Sequence, residues 1–180
     1  SILLCLVMMA LFRIKTIEGL SDHQPGELGI LLGLDRVPEV KTLRRKLAEL
    51  GGQQQAAKLA AALTERWSQG EPDELGILYI DGHVRAYTGR KHRLPKTFVQ
   101  KRRQCQPAST DTWVHNGVAE PLFFVTSPIN QHLLALIEQD VIPQARRQIG
   151  PQRTLTLVFD REAWSPKSFQ RWHTQRIEVI

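Results

Sequence analysis

The spacing between apolar residues changes once along this chain, and the change falls near Gly70-Glu71-Pro72-Asp73. Upstream, residues 1–69 read as helical. Leu34, Val37, Val40, Leu43, Leu47 and Leu50 recur at steps of three and four, which puts them on one helix face. Asp35 is placed to cap that helix, Pro38 is tolerated in its first turn, and Gly51-Gly52 should end it. Lys41, Arg44, Arg45 and Lys46 fall on its other faces. Pro25 and Gly26 should break the preceding segment, and 53–67 is rich in Ala, Leu, Gln and Lys, all good helix formers. The turn residues at 70–73 mark a boundary. The expectation is a helical N-terminal domain over 1–73 and a second, sheet-containing domain over 74–180.

Downstream the periodicity is that of strands. Leu75 to Ile80 is a short apolar run that continues past Asp81-Gly82 as His83-Val84-Arg85-Ala86-Tyr87, where apolar and polar residues alternate. Thr110 to Val114 and Pro121 to Thr126 are the next two candidate strands. Pro128 and Asn130 then open a helix with Leu133, Leu134, Leu136, Ile137, Val141 and Ile142 on its apolar face, ended by Gly150-Pro151. Leu155 to Phe159 is a fourth strand, and Ser165-Pro166 starts a short helix through Trp172. Arg176 to Ile180 is a fifth strand. The order is three strands, helix, strand, helix, strand, an α/β fold.

Composition removes several classes. Of the 180 residues, 42% are apolar and 23% charged, so the chain can build a packed core and is not a disordered segment. No apolar run reaches the roughly 18 residues that cross a bilayer. The opening run, Ile2 to Phe12, lacks a basic segment before it and a cleavage pattern after it, so it reads as a buried helix and not a targeting segment. Cys5 and Cys105 can form no disulfide framework and have no metal-ligand spacing, which suits a reducing compartment. The last residues read as a strand stopped in mid-course, and the expectation is a fragment of a longer protein.

Two features carry chemistry. Asp81 follows Ile77-Leu78-Tyr79-Ile80, and Asp160 follows Leu155-Thr156-Leu157-Val158-Phe159. Each is a carboxylate at the end of an apolar strand. If those strands are neighbours the carboxylates converge, and converging carboxylates repel unless a proton or cation sits between them. A hard, oxygen-seeking ion such as Mg²⁺ suits that place. Yet an Asp at a strand end is commonly a turn residue, and Asp81-Gly82 is a good hairpin dipeptide. Spacing leaves both readings open. The second feature is a run between Asp81 and Asp111 with no acid in it. Arg85, Arg90, Lys91, Arg93, Lys96, Lys101, Arg102 and Arg103 lie there, with Tyr87 and Phe98 interleaved. It fits a phosphate-backbone contact and equally a solvated loop. The net charge of +6 allows a polyanionic partner. His23, His115, His132 and His173 show no ligand spacing, and Trp67, Trp113, Trp164 and Trp172 read as core and interface anchors.

The block Leu32-Gly33-Leu34-Asp35-Arg36-Val37-Pro38-Glu39-Val40-Lys41-Thr42-Leu43-Arg44-Arg45-Lys46-Leu47 resembles one found in a group of bacterial transposases. Tyr79 to Tyr87 and Leu157 to Glu162 resemble two later blocks of the same group, and the resemblance covers nearly the whole chain. It implies a DDE transposase with a ribonuclease-H-like catalytic core: three antiparallel strands, helix, strand, helix, strand, here incomplete and preceded by an all-helical N-terminal segment. It implies further that Asp81 and Asp160 are catalytic and bind Mg²⁺ or Mn²⁺, with two ions in the full-length protein. Asp81 would bridge the ions and Asp160 would hold one of them. The third acid of the pattern sits on a helix after the fifth strand, which this chain does not reach. Glu162 and Glu178 are poor substitutes, since neither lies on such a helix.

The function so implied is cleavage and strand transfer of DNA at transposon ends in the full-length protein, with this fragment inactive alone. The partners would be transposon-end and target DNA and possible further copies of the chain, with no membrane. The location would be the bacterial cytoplasm, at the nucleoid. Two alternatives stand beside it: a catalytically inactive nucleic-acid-binding remnant of a mobile element, and a nuclease of the same fold.

Overall fold

The computed structural model describes residues 2–53, 55–68, 76–89, 92–99 and 102–180. The chain groups into two compact units, Ser1–Leu59 and Ala60–Ile180. The turn at Gly70 to Asp73, where the periodicity changes, lies outside the described residues.

The regular elements described in the first unit are all helical: α1 (Ile2–Leu11), a 3₁₀ turn (Ile17–Asp22), α2 (Pro25–Leu31), α3 (Val40–Gly52) and the start of α4 (Gln55–Ser68). Its core is Cys5, Met8 and Met9 of α1 with Leu20, Leu28, Val37 and Leu43. Two expectations are corrected. Pro25-Gly26 begins a helix instead of only breaking one, because Pro at the first helical position needs no N–H partner. α3 starts at Val40, so Asp35 does not cap it, and its N-cap Glu39 makes no side-chain cap bond. The intervening residues fold back on α2: the Leu34 N–H donates to Gly29 O (2.9 Å) and the Val37 N–H to Pro25 O (3.0 Å). That return needs Gly29, where a Cβ would stand 2.4 Å from the Arg36 backbone.

The second unit carries a mixed sheet: β1 (Ile77–Ala86), β2 (Lys96–Val99), β3 (Gln104–His115), β4 (Pro121–Pro128), β5 (Leu155–Phe159) and β6 (Ile177–Val179). β3 pairs antiparallel with β1, β2 and β4. β5 is parallel to both β1 and β6. Between β4 and β5 run α5 (Leu133–Leu136), a π turn (Ile137–Val141) and α6 (Ile142–Ile149), and α7 (Pro166–Thr174) joins β5 to β6. The expected element order is therefore present, with one short strand, β2, added to it.

The additions have causes. β1 runs straight through Asp81-Gly82, which excludes the hairpin reading of that dipeptide. The expected strand at 110–114 starts at Gln104 instead. Ala86 pairs with Ala108 of β3 and Lys96 with Pro107, the next residue, so β2 takes up the edge of β3 where β1 leaves it. Residues 87–89 and 92–95, between the two, are not in strand. The π turn precedes Pro143, which has no N–H to continue the α-helical ladder. Ser165 caps α7 as expected, accepting from the Ser168 N–H at 3.3 Å. The core is Leu78 and Ile80 of β1, Leu155 and Leu157 of β5, Ile137 and Val141 of the π turn, and Trp172 of α7.

Candidate active site

The parallel pairing of β1 and β5 sets Ile80 level with Phe159. Asp81 and Asp160 are each the next residue, so the two residues come side by side where β5 ends. Both line one cavity of about 350 Å³, lined also by Thr110, Thr112, Ser127 and Leu136 among others. Both aspartates are exposed. Asp160 also caps the 3₁₀ turn Arg161–Ala163: its Oδ1 accepts the Arg161 N–H at 2.6 Å. Glu162, in that turn, lines the same cavity and is the third carboxylate there. Glu178 lies on β6 and does not line it. Among the described residues, no three His, Cys, Asp or Glu side chains form a group able to hold a metal ion.

The basic residues separate. Arg90, Lys91 and Lys101 lie outside the described residues. Arg85 is exposed but paired: its Nη2 sits 3.1 Å from Oδ1 of Asp111, a carboxylate 6% exposed. The same oxygen accepts the Thr126 hydroxyl at 2.7 Å. Arg93, Lys96, Arg102 and Arg103 are exposed. Arg102 donates to Gln106 Oε1 at 3.3 Å. Arg103 turns the chain into β3 with φ of 50°. A second cavity, of about 630 Å³, is lined by His83, Arg85, Phe98 and Arg102 with their strand neighbours.

The Arg85–Asp111–Thr126 cluster is a feature that sequence reasoning missed. Asp111 stands in an apolar and hydroxyl-rich run, and the signal was available: a lone acid inside a strand must find a partner when both neighbours in the sheet cover it. Of the tryptophans, Trp172 is 2% exposed and in the core, whereas Trp164 is 71% exposed and meets Phe169 edge-on at 5.2 Å. The Trp67 side chain lies outside the described residues.

A family model described as "Transposase protein" matches residues 1–180. No curated protein matches the chain. Among solved structures it is similar to the Mos1 strand transfer complex, with 12% identity and a TM-score of 0.38 over 96% of this chain and 56% of that one. It is similar as well to the Mos1 transposase paired-end complex with left transposon end, with 13% identity and a TM-score of 0.40 over the same shares. A third is the Mos1 mariner paired end complex with Mn, at 13% identity and a TM-score of 0.39, again over 96% of this chain and 56% of that one. The chain thus spans just over half the length of these structures. Likeness at this level does not by itself identify a fold.

Proposed function

This chain belongs to the transposase protein family, whose model matches residues 1–180, and from that premise we propose that the whole protein cuts DNA at transposon ends and joins it to a target. The observation that carries the reading is the pairing of β1 with β5, which makes neighbours of Asp81 and Asp160 on one cavity. Two exposed carboxylates in that relation suit a hard divalent cation, Mg²⁺ or Mn²⁺. They make a partial site: one oxygen of Asp160 is already engaged by Arg161, and Glu162 is the further acid within the cavity. When bound, such cations activate water or a 3′-hydroxyl and stabilise the leaving oxygen of an in-line displacement at phosphorus. Asp81 and Asp160 would hold them. Lys96, Arg102 and Arg103, exposed on the β2–β3 hairpin, would hold the phosphate backbone by charge.

The helical N-terminal part, 1–73, would act as a domain separate from the sheet.

The test is a strand-transfer assay on the full-length protein with Mg²⁺. Asp81→Asn and Asp160→Asn should each abolish metal-dependent joining. Joining that persists in both variants rules out the carboxylate pair. The second reading is a nucleic-acid-binding remnant without catalysis, favoured by the lack of a three-acid metal group among the described residues. It predicts DNA binding in full and no joining by the wild type.

A further inference from the structure

The strand residues that floor the carboxylate cavity share one face of the sheet. Gly82 pairs with Thr112, Val84 with Thr110, and Thr110 with Ser127. Directly opposed residues lie on the same face, and all of these line the cavity. Thr112 is 1% exposed and Ser127 6%. Neither hydroxyl bonds another described residue, and among those residues the side-chain oxygen that is both sealed and unpartnered is Oε1 of Gln148. The Thr112 and Ser127 oxygens therefore open into the cavity. Gly82 keeps the space beside them clear, since a Cβ there would stand 3.4 Å from the Thr110 methyl. Glycine inside a strand marks a place where a ligand can come close. Gly82 follows Asp81 directly, so this floor begins at the carboxylate end. With neighbouring strands about 4.8 Å apart, Thr112 lies about 5 Å and Ser127 about 10 Å across the sheet from β1.

A buried hydroxyl left without a partner costs free energy, so these two call for an acceptor from outside the fold. The described lining residues include no Lys or Arg, and carboxylates stand at one end. A free anion would be repelled there. A phosphate on a strand already held at that end through a cation is carried in by its tether. Donors this covered are reached by a single oxygen atom and not by the flat edge of a base. Ser and Thr hydroxyls commonly donate to phosphate oxygens. We propose that Thr112 and Ser127 donate hydrogen bonds to a backbone phosphate of the DNA strand next to the one that reacts at Asp81 and Asp160. This rests on the transposase reading above and adds to it an uncharged anchor for the strand, separate from the cations of the β2–β3 hairpin.

The experiment measures affinity of the full chain for a short DNA duplex in excess Mg²⁺ over a range of salt, beside urea denaturation. Thr112→Val and Ser127→Ala should each lower affinity roughly tenfold, the loss of one hydrogen bond to a charged group. The slope of log affinity against log salt should stay as in the wild type, because a neutral donor releases no counterion. The urea midpoint should stay or rise, since the lost hydroxyl had no partner in the fold. Thr112→Ser, which keeps the hydroxyl, should bind as the wild type does. Unchanged affinity in both variants overturns the anchor and leaves DNA binding in place, the hydroxyls then holding water alone. A loss that Thr112→Ser shares, or that comes with a flattened salt slope, overturns it as well, because altered shape or a displaced cation then accounts for the loss. Failure of the wild type to bind the duplex overturns the anchor and the DNA-binding reading together.

Discussion

Asp160 has two separable roles at the scale of one residue. Its side chain caps the turn Arg161–Ala163, and its charge faces the cavity it shares with Asp81. Asn caps about as well as Asp, whereas Ala does not. Asp160→Asn should leave thermal stability within about 1 °C and remove metal-dependent activity of the full-length protein. Asp160→Ala should remove the activity and also cost about 1 kcal/mol, read by urea denaturation. Arg85 makes the opposite case. It is half of an ion pair with a buried acid, so Arg85→Ala should destabilise the fold by about 1–3 kcal/mol, because Asp111 then keeps Thr126 alone among the described residues. The salt dependence of DNA binding should barely change in that variant. An intact fold with weakened DNA binding would return Arg85 to the phosphate-contacting set. Asp81 and Asp160 were legible in the sequence because each follows its own apolar run, a local signal. The pairing of Arg85 with Asp111 was not, since it depends on a register between strands that local spacing does not encode.

At the scale of elements, periodicity marks an element where one period runs long enough and misses it where a strand is interrupted. β5 and α7 fall near their expected bounds because an unbroken apolar run and a Ser-Pro start are local signals. β2 and the first half of β3 do not. Their residues Gln104, Gln106 and Pro107 carry loop chemistry, and Pro107 is tolerated where one strand edge passes from β1 to β2. The start of α3 is misplaced for a similar reason: Leu34 and Val37 keep helical spacing while their backbone is bonded back to α2. The end of α6 shows what the sequence never announces. Arg146 donates to the carbonyls of Gly150, Arg153, Gln175 and Arg176, joining the loop after α6 to the turn between α7 and β6. Burial lowers its pKa, helped by the nearby charge of Arg176, although a guanidinium stays protonated throughout the physiological range. Arg146→Ala should therefore lower stability by about 2–4 kcal/mol in urea denaturation, with little dependence on pH between about 6 and 9. Arg146→Lys should recover less than half of that, since an ammonium cannot span the set of carbonyls that the planar fork reaches.

For the whole molecule, charge and cation binding set the behaviour. The net charge is +6, and exposed cations gather on the β2–β3 hairpin beside the carboxylate cavity. DNA binding should be weak, indifferent to sequence and steeply reduced by salt, because each phosphate bound by a Lys or Arg releases counterions. Replacing Lys101, Arg102 and Arg103 with Ala should cut the slope of log affinity against log salt by up to about 3, close to 1 for each cation removed from a phosphate. A slope that does not move clears the hairpin of that role. Divalent metal should act feebly on the same chain. Three carboxylates line the cavity, yet the described residues form no three-ligand group, and Asp160 has one oxygen committed to its cap. A cation held by two or fewer free carboxylates binds loosely. When the metal concentration only matches the dissociation constant, linkage adds about 0.4 kcal/mol, which moves a melting temperature by about 1–2 °C. The 180-residue chain should therefore melt at nearly the same temperature in millimolar Mg²⁺ as in chelator, and should neither nick nor join plasmid DNA. The check is a melting scan paired with a nicking assay, with Asp81→Asn alongside. A large Mg²⁺-dependent rise in melting temperature, together with nicking that the variant lacks, would mean that Asp81, Asp160 and Glu162 complete a metal site by themselves.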